Sequence, residues 1–541
     1  MKGAELFVRC LENEGVQYCF GVPGEETEDL VFALEKSSIK FIPTRHEQGA
    51  AFMADVWGRV SGRAGVCLST LGPGATNLVT GVADANLDKS PVVAISAQAG
   101  LRRIHKESHQ YLDLVELFRP ITKWNTAIAS PEVITEVVRK AFKIAESEKP
   151  GATHIEFSED IAGMDVKPSA PIKSIRVRRP DPDNHALDEA LRLLKKSRYP
   201  IIIAGNGAVR KLASEELSNL VHTHQIPVVH TFMGQGAIQD TTPQSLFTIG
   251  FGFRDIVMDA MDKADFVMTV GYDIAEYAPD AWNPKKNKTI VHVDFTPAEV
   301  YTHYQPAVEI VADIPATLRE LNKKFKHHTF DRTWYMPVRT RIQKDIASYT
   351  LKEGQRFTVP GVLNILQTVL TRCDDLLISD VGTHKIWIAR NFSACCPNGC
   401  LISNGLASMG IALPGAVAAA LHSPGRRIVA AMGDGGFMMN SQELETAQRL
   451  NLKFTVIIFN DNDYGLISWK QNMSRGRSTG TKLTNPDFKA YAESFGIKGY
   501  RPKNIRELKT QLTRALTHQE LCVFEIPIDT RVNAELMRKL K

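Results

Sequence analysis

The chain has 541 residues, 43% apolar and 23% charged, which is ordinary globular composition at a length that predicts several domains. Its net charge of +5 gives nucleic-acid binding little support, and Glu5, Arg9, Glu12 and Glu14 in the opening segment argue against a signal peptide. The longest weakly polar run, 401–421, contains Ser403, Asn404 and Pro414 and reads as a buried helix rather than a membrane span, so a cytoplasmic protein with no membrane partner is expected.

The first twenty residues read as an amphipathic surface helix. Strands are expected at 41–43, 65–70 and 91–97, alternating with helical patterns up to about residue 165. Pro, Ser, Arg and Asp crowd together at 168–184 and mark a boundary, which gives a first domain of 1–167. The strand at 200–208 opens a second domain, 185–330, with further strands at 266–270 and 289–293. The charged stretch 323–356 leads to a third domain, 357–530, and residues 530–541 read as a short exposed tail. The fold class is α/β, with three doubly wound parallel-sheet domains. Eight cysteines in so long a chain do not make a disulfide scaffold, and Cys395, Cys396 and Cys400 lack a second cluster that would complete a zinc site.

The chemistry is expected between 427 and 469. Apolar runs at 428–432 and 454–459 have strand length, and 441–450 carries Leu444, Ala447 and Leu450 at helical spacing, with Asn440 and Glu443 as its start signal. A right-handed β-α-β crossover makes the two strands parallel, and ligands of such sheets gather at the carboxyl ends of the strands. Asp434, in Gly433-Asp-Gly435-Gly436, and Asp461, in Asn460-Asp-Asn-Asp463, then share one edge. Hard oxygen ligands suit Mg²⁺, and glycine-rich turns let backbone amides approach an anion, so a metal-bridged diphosphate is the natural occupant. Either motif alone is equally well an ordinary turn; the two ends of one crossover together are more specific.

These residues resemble the signature of the thiamine diphosphate enzymes, GDG followed after a helix and a strand by an Asn-rich turn. Over nearly the whole length the chain is similar to the acetolactate synthase family, and Asp rather than Asn at 461 resembles its catabolic members. The resemblance implies that Asp434 and Asp461 give side-chain oxygens to Mg²⁺ and Asp463 its main-chain carbonyl, with Gly433, Gly435, Gly436, Tyr464, Gly465 and Leu466 around the cofactor. Glu47, in Thr44-Arg-His-Glu-Gln-Gly-Ala50, matches the Glu that hydrogen-bonds the pyrimidine N1′; on residue type alone, Arg45 and Glu47 could be a surface ion pair. Pro73 and Asn77, in Leu71-Gly-Pro-Gly-Ala-Thr-Asn77, match the turn beside the pyrimidine. Gln110, and more weakly His109, match a loop that reaches the substrate, and Lys123 matches a lysine at the mouth of the site. Gly382, Thr383 and His384 match diphosphate contacts. Met409 matches the residue that wedges between the cofactor rings, and the Ala407 carbonyl the acceptor for the 4′-imino group. Trp469, one place before the Trp position of biosynthetic relatives, joins Leu466 as a lining of the acceptor pocket.

The implied activity is decarboxylation of pyruvate through a thiamine diphosphate enamine and its ligation to a second pyruvate, giving 2-acetolactate and CO₂. A homo-oligomer, dimer or tetramer, with active sites at subunit interfaces is implied as well. Gly205-Asn-Gly207 follows a strand, but Val209 stands where a dinucleotide fingerprint has its last glycine, and 270–283 resembles the flavin-independent type, so FAD is not expected. Glu25 departs from the small residue common in synthases; pointing inward, it would oppose an anionic substrate. The rival readings are another thiamine diphosphate-dependent 2-oxo acid decarboxylase or carboligase, a nicotinamide oxidoreductase using Gly205 and Gly207, and a catalytically silent subunit.

Overall fold

The computed structural model describes every residue except Arg176, Lys211, His327 and Lys541, and only the backbone of Lys539 and Leu540. Three six-stranded sheets, every paired strand parallel, carry the fold, as the strand pattern predicts. The first holds β1 (Tyr18–Gly21), β2 (Lys40–Pro43), β3 (Gly65–Ser69), β4 (Val92–Gln98), β5 (Trp124–Ala127) and β6 (Ala152–Ser158) in the order β2-β1-β3-β4-β6-β5. The second holds β7 (Pro200–Ala204), β8 (Val228–His230), β9 (Ser245–Thr248), β10 (Phe266–Val270), β11 (Thr289–Asp294) and β12 (Val308–Val311) in the order β12-β11-β10-β7-β8-β9. The third holds β13 (Leu376–Ser379), β14 (Cys400–Ile402), β15 (Ile428–Gly433), β16 (Thr455–Asn460), β17 (Lys498–Tyr500) and β18 (Cys522–Pro527) in the order β14-β13-β15-β16-β18-β17. The first and third sheets thus repeat one strand order, and the second has its own. Central strands such as β4 are buried at every residue, because helices cover both faces of a parallel sheet.

Chain contacts divide the molecule into two compact units. One comprises Met1–Val177 with Gly405–Gly425 and Phe437–Lys453; the other comprises Arg178–Asn404, Arg426–Gly436 and Phe454–Lys541. Two crossover segments of the expected third domain are therefore grouped with the first sheet. The cause lies in composition: helix Ala412–His422 is small and apolar on nearly every side and must be buried all round. It packs on helix Glu47–Ser61, itself rich in small residues, with Trp57 edge-on to His422 at 5.2 Å. In the second unit, buried Arg390 pairs with Asp255 at 2.6 Å.

Three local expectations are corrected. The run 401–421 is β14, then a loop, then helix Ala412–His422, broken at Gly405 and Gly410. The helix expected at 441–450 begins earlier, as Asp434–Asn440 directly off β15, and resumes as Glu443–Arg449. Asn440 closes the first of these instead of starting a helix, and its buried amide donates to the Gly410 carbonyl at 3.0 Å and to Gln48 Oε1 at 3.2 Å. The expected tail is helix Arg531–Leu540, docked through buried Val532 and Leu536 and through Trp387 Nε1 donating to Asn533 Oδ1 at 2.8 Å.

Candidate active site

In the first unit the site is built on the turns that leave β2 and β3. Helix Glu47–Ser61 starts four residues after β2, capped by His46, whose Nδ1 accepts from the Gln48 amide at 3.1 Å. Glu47 is only 8% exposed, and its Oε2 accepts from Asn77 Nδ2 at 2.9 Å. A surface ion pair is therefore not its role. Asn77 lies on helix Pro73–Leu87, where Pro73 pre-sets the first turn and Gly72, at φ 49°, makes the entry. A Cβ on Gly72 would stand 2.6 Å from the Gln110 carbonyl, so the turn needs glycine to let the Gln110 loop lie against it. Gln110, itself at φ 59°, and His109 have exposed side chains. In the returning segment, Met409 is half-buried and Ala407 sits at φ 59°, the left-handed region that costs a non-glycine residue about 1 kcal/mol or more.

In this unit the reading of Lys123 changes, and the open orientation of Glu25 is decided. The Lys123 ammonium donates to the carbonyls of Ile144, Ser147 and Lys149 at 2.7, 2.8 and 2.6 Å, closing the end of helix Ile134–Glu146 rather than facing a substrate. Glu25 is exposed; its neighbour Glu26 turns inward and accepts from Thr70 Oγ1 at 2.7 Å, bridging the ends of β1 and β3.

In the second unit the third sheet reverses its strand order between β13 and β15, the switch point where parallel sheets bind ligands. From β13 come Gly382, Thr383 and His384 at the start of helix Thr383–Asn391, with its positive dipole end. Thr383 Oγ1 and His384 Nε2 are buried without a hydrogen-bond partner among the described residues. Burial holds the His384 imidazole neutral, its pKa pushed down to about 3, although the Asp380 carbonyl hydrogen-bonds the ring and opposes the shift. From β15 come Gly433 and Asp434. Asp434 is buried, accepting from the Gly435 amide at 3.0 Å and from Asn485 Nδ2 at 2.6 Å. A Cβ on Gly435 would meet the Tyr464 ring at 2.8 Å.

From β16 comes the Asn460–Asp463 turn. Asp461 accepts from the Asp463 amide at 3.2 Å, and its carboxyl is pushed up to about 7 by burial, then by the charges of Asp434 and Asp463. Asp434 moves the same way, first through burial. Asp463 differs: burial pushes its carboxyl up, but its ion pair with Lys482 at 3.0 Å helps to hold it below the usual range. Gly465 packs against Asp461 and Thr383, its Cβ position 2.5 Å from Asp461 Oδ2 and 3.0 Å from Thr383 Oγ1. Leu466 and Trp469 follow on helix Gly465–Arg475 and pack partly buried on the third sheet's core, Trp469 with Phe253 at 6.2 Å. Among the described residues no group of three His, Cys, Asp or Glu side chains is gathered to cage a metal. What stands at the edge is a pair of mutually repelling carboxylates.

Sequence reasoning missed the strap at 481–485. It pairs with the acidic turn through Tyr464 N to Thr481 O and Leu483 N to Asn462 O, both 2.9 Å, and Asn485 reaches Asp434, Asn460 and Asn462 together. Asn485-Pro486 signals a turn, but no local pattern ties it to an aspartate 51 residues away.

The second sheet also has a switch point, between β7 and β10, and there Glu276 fills the edge. Its carboxylate accepts from the Asn206 and Met233 amides at 3.1 and 3.2 Å and from Thr231 Oγ1 at 2.5 Å. Gly205 and Gly207 serve backbone packing: Cβ atoms there would stand 2.5 Å from the Gly271 carbonyl and 2.7 Å from its Cα.

Comparison with known sequences agrees with this three-sheet arrangement. Family models match residues 1–117 (thiamine pyrophosphate enzyme, N-terminal TPP binding domain), 187–321 (central domain) and 380–526 (C-terminal TPP binding domain). An acetolactate synthase of Bacillus subtilis is 33% identical over 99% of this chain and 94% of its own length. A probable acetolactate synthase large subunit of Methanocaldococcus jannaschii is 35% identical over 98% and 92%. A catabolic acetolactate synthase of Raoultella terrigena is 33% identical over 99% and 97%. The chain belongs to the thiamine pyrophosphate enzymes, in the acetolactate synthase family. For a member of this family, thiamine diphosphate is the cofactor the binding domains take, and the buried, unpartnered Thr383 Oγ1 and His384 Nε2 fit its anionic tail. Among the described residues no helix is long and apolar enough to cross a membrane.

Proposed function

We propose that this chain is an acetolactate synthase, which decarboxylates pyruvate and joins the remaining two-carbon unit to a second pyruvate, giving 2-acetolactate and CO₂. The observation that carries the reading is the buried Glu47–Asn77 pair, in a chain similar to acetolactate synthases over 98–99% of its length. Thiamine diphosphate, when bound, supplies the electron sink for loss of CO₂ from a 2-oxo acid. Glu47, its carboxyl oriented by Asn77, would hydrogen-bond the pyrimidine N1′ and move a proton there. The Ala407 carbonyl, Met409 and Pro73 would hold the cofactor's pyrimidine end. Gln110 reaches toward the substrate.

Gly382, Thr383 and His384 and the amides of Gly433, Gly435, Gly436 and Gly465 take the diphosphate, with Tyr464 and Leu466 beside it. An anion at His384 Nε2 favours the doubly protonated ring, donating at both nitrogens. Asp434 and Asp461 side chains and the Asp463 carbonyl would hold Mg²⁺, and a cation there would offset the burial and neighbouring negative charges that raise Asp461. Lys123 is left out, since its ammonium closes a helix. Glu276 in the anion position of the second sheet supports an enzyme that works without FAD. Leu466 and Trp469 border the acceptor. We read the working form as a cytoplasmic dimer or tetramer with sites between subunits, binding pyruvate and no nucleic acid.

The test is pyruvate consumption with and without thiamine diphosphate and Mg²⁺, with the products identified. 2-Acetolactate supports the proposal, acetaldehyde alone makes the chain a simple decarboxylase, and consumption that ignores the cofactor refutes both. Glu47→Gln is expected to lower turnover about a thousandfold while leaving cofactor affinity within about threefold; full activity would remove Glu47 from its role.

A further inference from the structure

A buried charged cluster that the mechanism does not use lies against the loop carrying Ala407 and Met409. Arg59, on the last turn of helix Glu47–Ser61, donates to Asp55 at 2.8 and 3.0 Å, to Asp84 at 3.4 Å and to Asp88 at 2.5 Å. All three carboxylate side chains are fully buried and the guanidinium is 9% exposed. Three buried carboxylates on one cation are costly unless further donors reach them. Two such donors come from the segment that carries Ala407 and Met409. Asp88 Oδ1 accepts from the Gly405 amide at 2.5 Å, and Asp84 Oδ1 accepts from the Ser408 amide at 3.2 Å. The left-handed Ala407 lies between these two anchored amides. A Cβ on Gly405 would stand 2.6 Å from Asp88 Oδ1 and 2.8 Å from the Leu87 carbonyl, so only glycine sits in the clamp. Beyond Met409, the Gly410 carbonyl is held by Asn440, which also bonds Gln48, the neighbour of Glu47.

We infer that Asp84 and Asp88, set by Arg59, are positioning residues that hold the Gly405–Gly410 loop in its strained form, and so place the Ala407 carbonyl and Met409 against the cofactor. The chemistry favours this over plain stability. Asp84 and Asp88 each accept from Arg59 at one oxygen and from a loop amide at the other, whereas Asp55 accepts from Arg59 at both of its oxygens. The inference rests on the proposed roles of Ala407 and Met409, and its test separates the two claims.

Three variants suffice: Asp84→Ala, Gly405→Ala and, as a control that disturbs Arg59 without touching the loop, Asp55→Asn. Amide hydrogen exchange across 404–410 is measured in the cofactor-free protein. Near-ultraviolet circular dichroism of bound thiamine diphosphate and kcat and KM for pyruvate are measured in the loaded enzyme. Asp84→Ala and Gly405→Ala are expected to speed exchange about tenfold, reduce the bound-cofactor dichroism, and lower kcat about a hundredfold with KM changed less than about threefold. Asp55→Asn is expected to lower the melting temperature while leaving exchange at 404–410 and the dichroism as in the parent. Exchange and dichroism unchanged in both loop variants, or changed equally by Asp55→Asn, would make the cluster a structural ion network and overturn the inference. If the parent chain binds no thiamine diphosphate, the proposed function fails, while exchange in the free protein still decides whether the clamp holds the loop.

Discussion

The second and third sheets are both parallel, both reverse strand order at a switch point and both lie in one compact unit, yet their carboxyl edges are finished in opposite ways. At the second, Glu276 takes the amide hydrogen bonds that a ligand's phosphate would otherwise take. At the third, Thr383 Oγ1 and His384 Nε2 lack hydrogen-bond partners among the described residues, and Asp434 and Asp461 repel one another. Of these two edges, the one whose polar groups the chain leaves unsatisfied is the one proposed to take the diphosphate. Buried polar groups without partners are expensive, and their persistence at the third edge supports the proposed diphosphate site there.

Removing the open edge's principal carboxylate is the strongest way to break this comparison. Asp434→Ala is expected to lower turnover about a thousandfold or more and to abolish cofactor-induced stabilisation in a thermal melt, because the proposed metal site loses a ligand and Asn485 one of its partners. A variant that still gains stability from thiamine diphosphate and Mg²⁺ would place the metal elsewhere. Adding ligand sharpens the contrast at intermediate size. At a hundred times its Kd, thiamine diphosphate with Mg²⁺ should stabilise the native chain by about 2.7 kcal/mol, and a chelator should reverse this, whereas FAD at the same concentration should shift the melt by nothing measurable. Stabilisation by FAD would mean that Glu276 gives way. His384→Ala comes next. Loss of one hydrogen bond to a charged group is expected to weaken thiamine diphosphate about ten- to a hundredfold by calorimetry, with kcat at saturation nearly kept.

The contrast between the edges also explains what the sequence discloses. The strands are short apolar runs bounded by turn residues, and GDGG and NDND stand at strand ends, so both the three sheets and the open edge can be read from local pattern. Glu276 cannot, since nothing beside it signals that it folds back onto the turns after β7 and β8. The same blindness to distance hides Asn485, and it makes Lys123 look like a substrate ligand when it closes a helix 21 residues on. Helix Asp434–Asn440 is missed for a different reason: consecutive glycines read as a turn, whereas here they are the first residues of a helix whose start must lie close to Tyr464 and Asp380. The docked C-terminal helix was visible only as Val532 and Leu536 at helical spacing within a strongly charged run.

The smallest expected effect tests the closed edge itself. Glu276 is raised to about 7, chiefly by burial and also by the charge of Asp273, with the Thr231 hydroxyl and the Asn206 and Met233 amides pulling the other way. In the unfolded chain a glutamate ionises near its ordinary value of 4.5. Below that value the residue is protonated in both states and its contribution to stability is fully present; as pH rises through about 7 the folded chain must ionise a buried carboxyl that the unfolded chain has already ionised, so stability is lost across this window. Glu276→Gln keeps an acceptor for the amides and cannot ionise. Relative to the parent, it should therefore gain about 1–3 kcal/mol in urea unfolding between pH 5 and pH 8. An equal difference at the two pH values would show that the carboxylate is matched by its donors as well as a bound phosphate would be, and that the second edge is closed at no cost in charge.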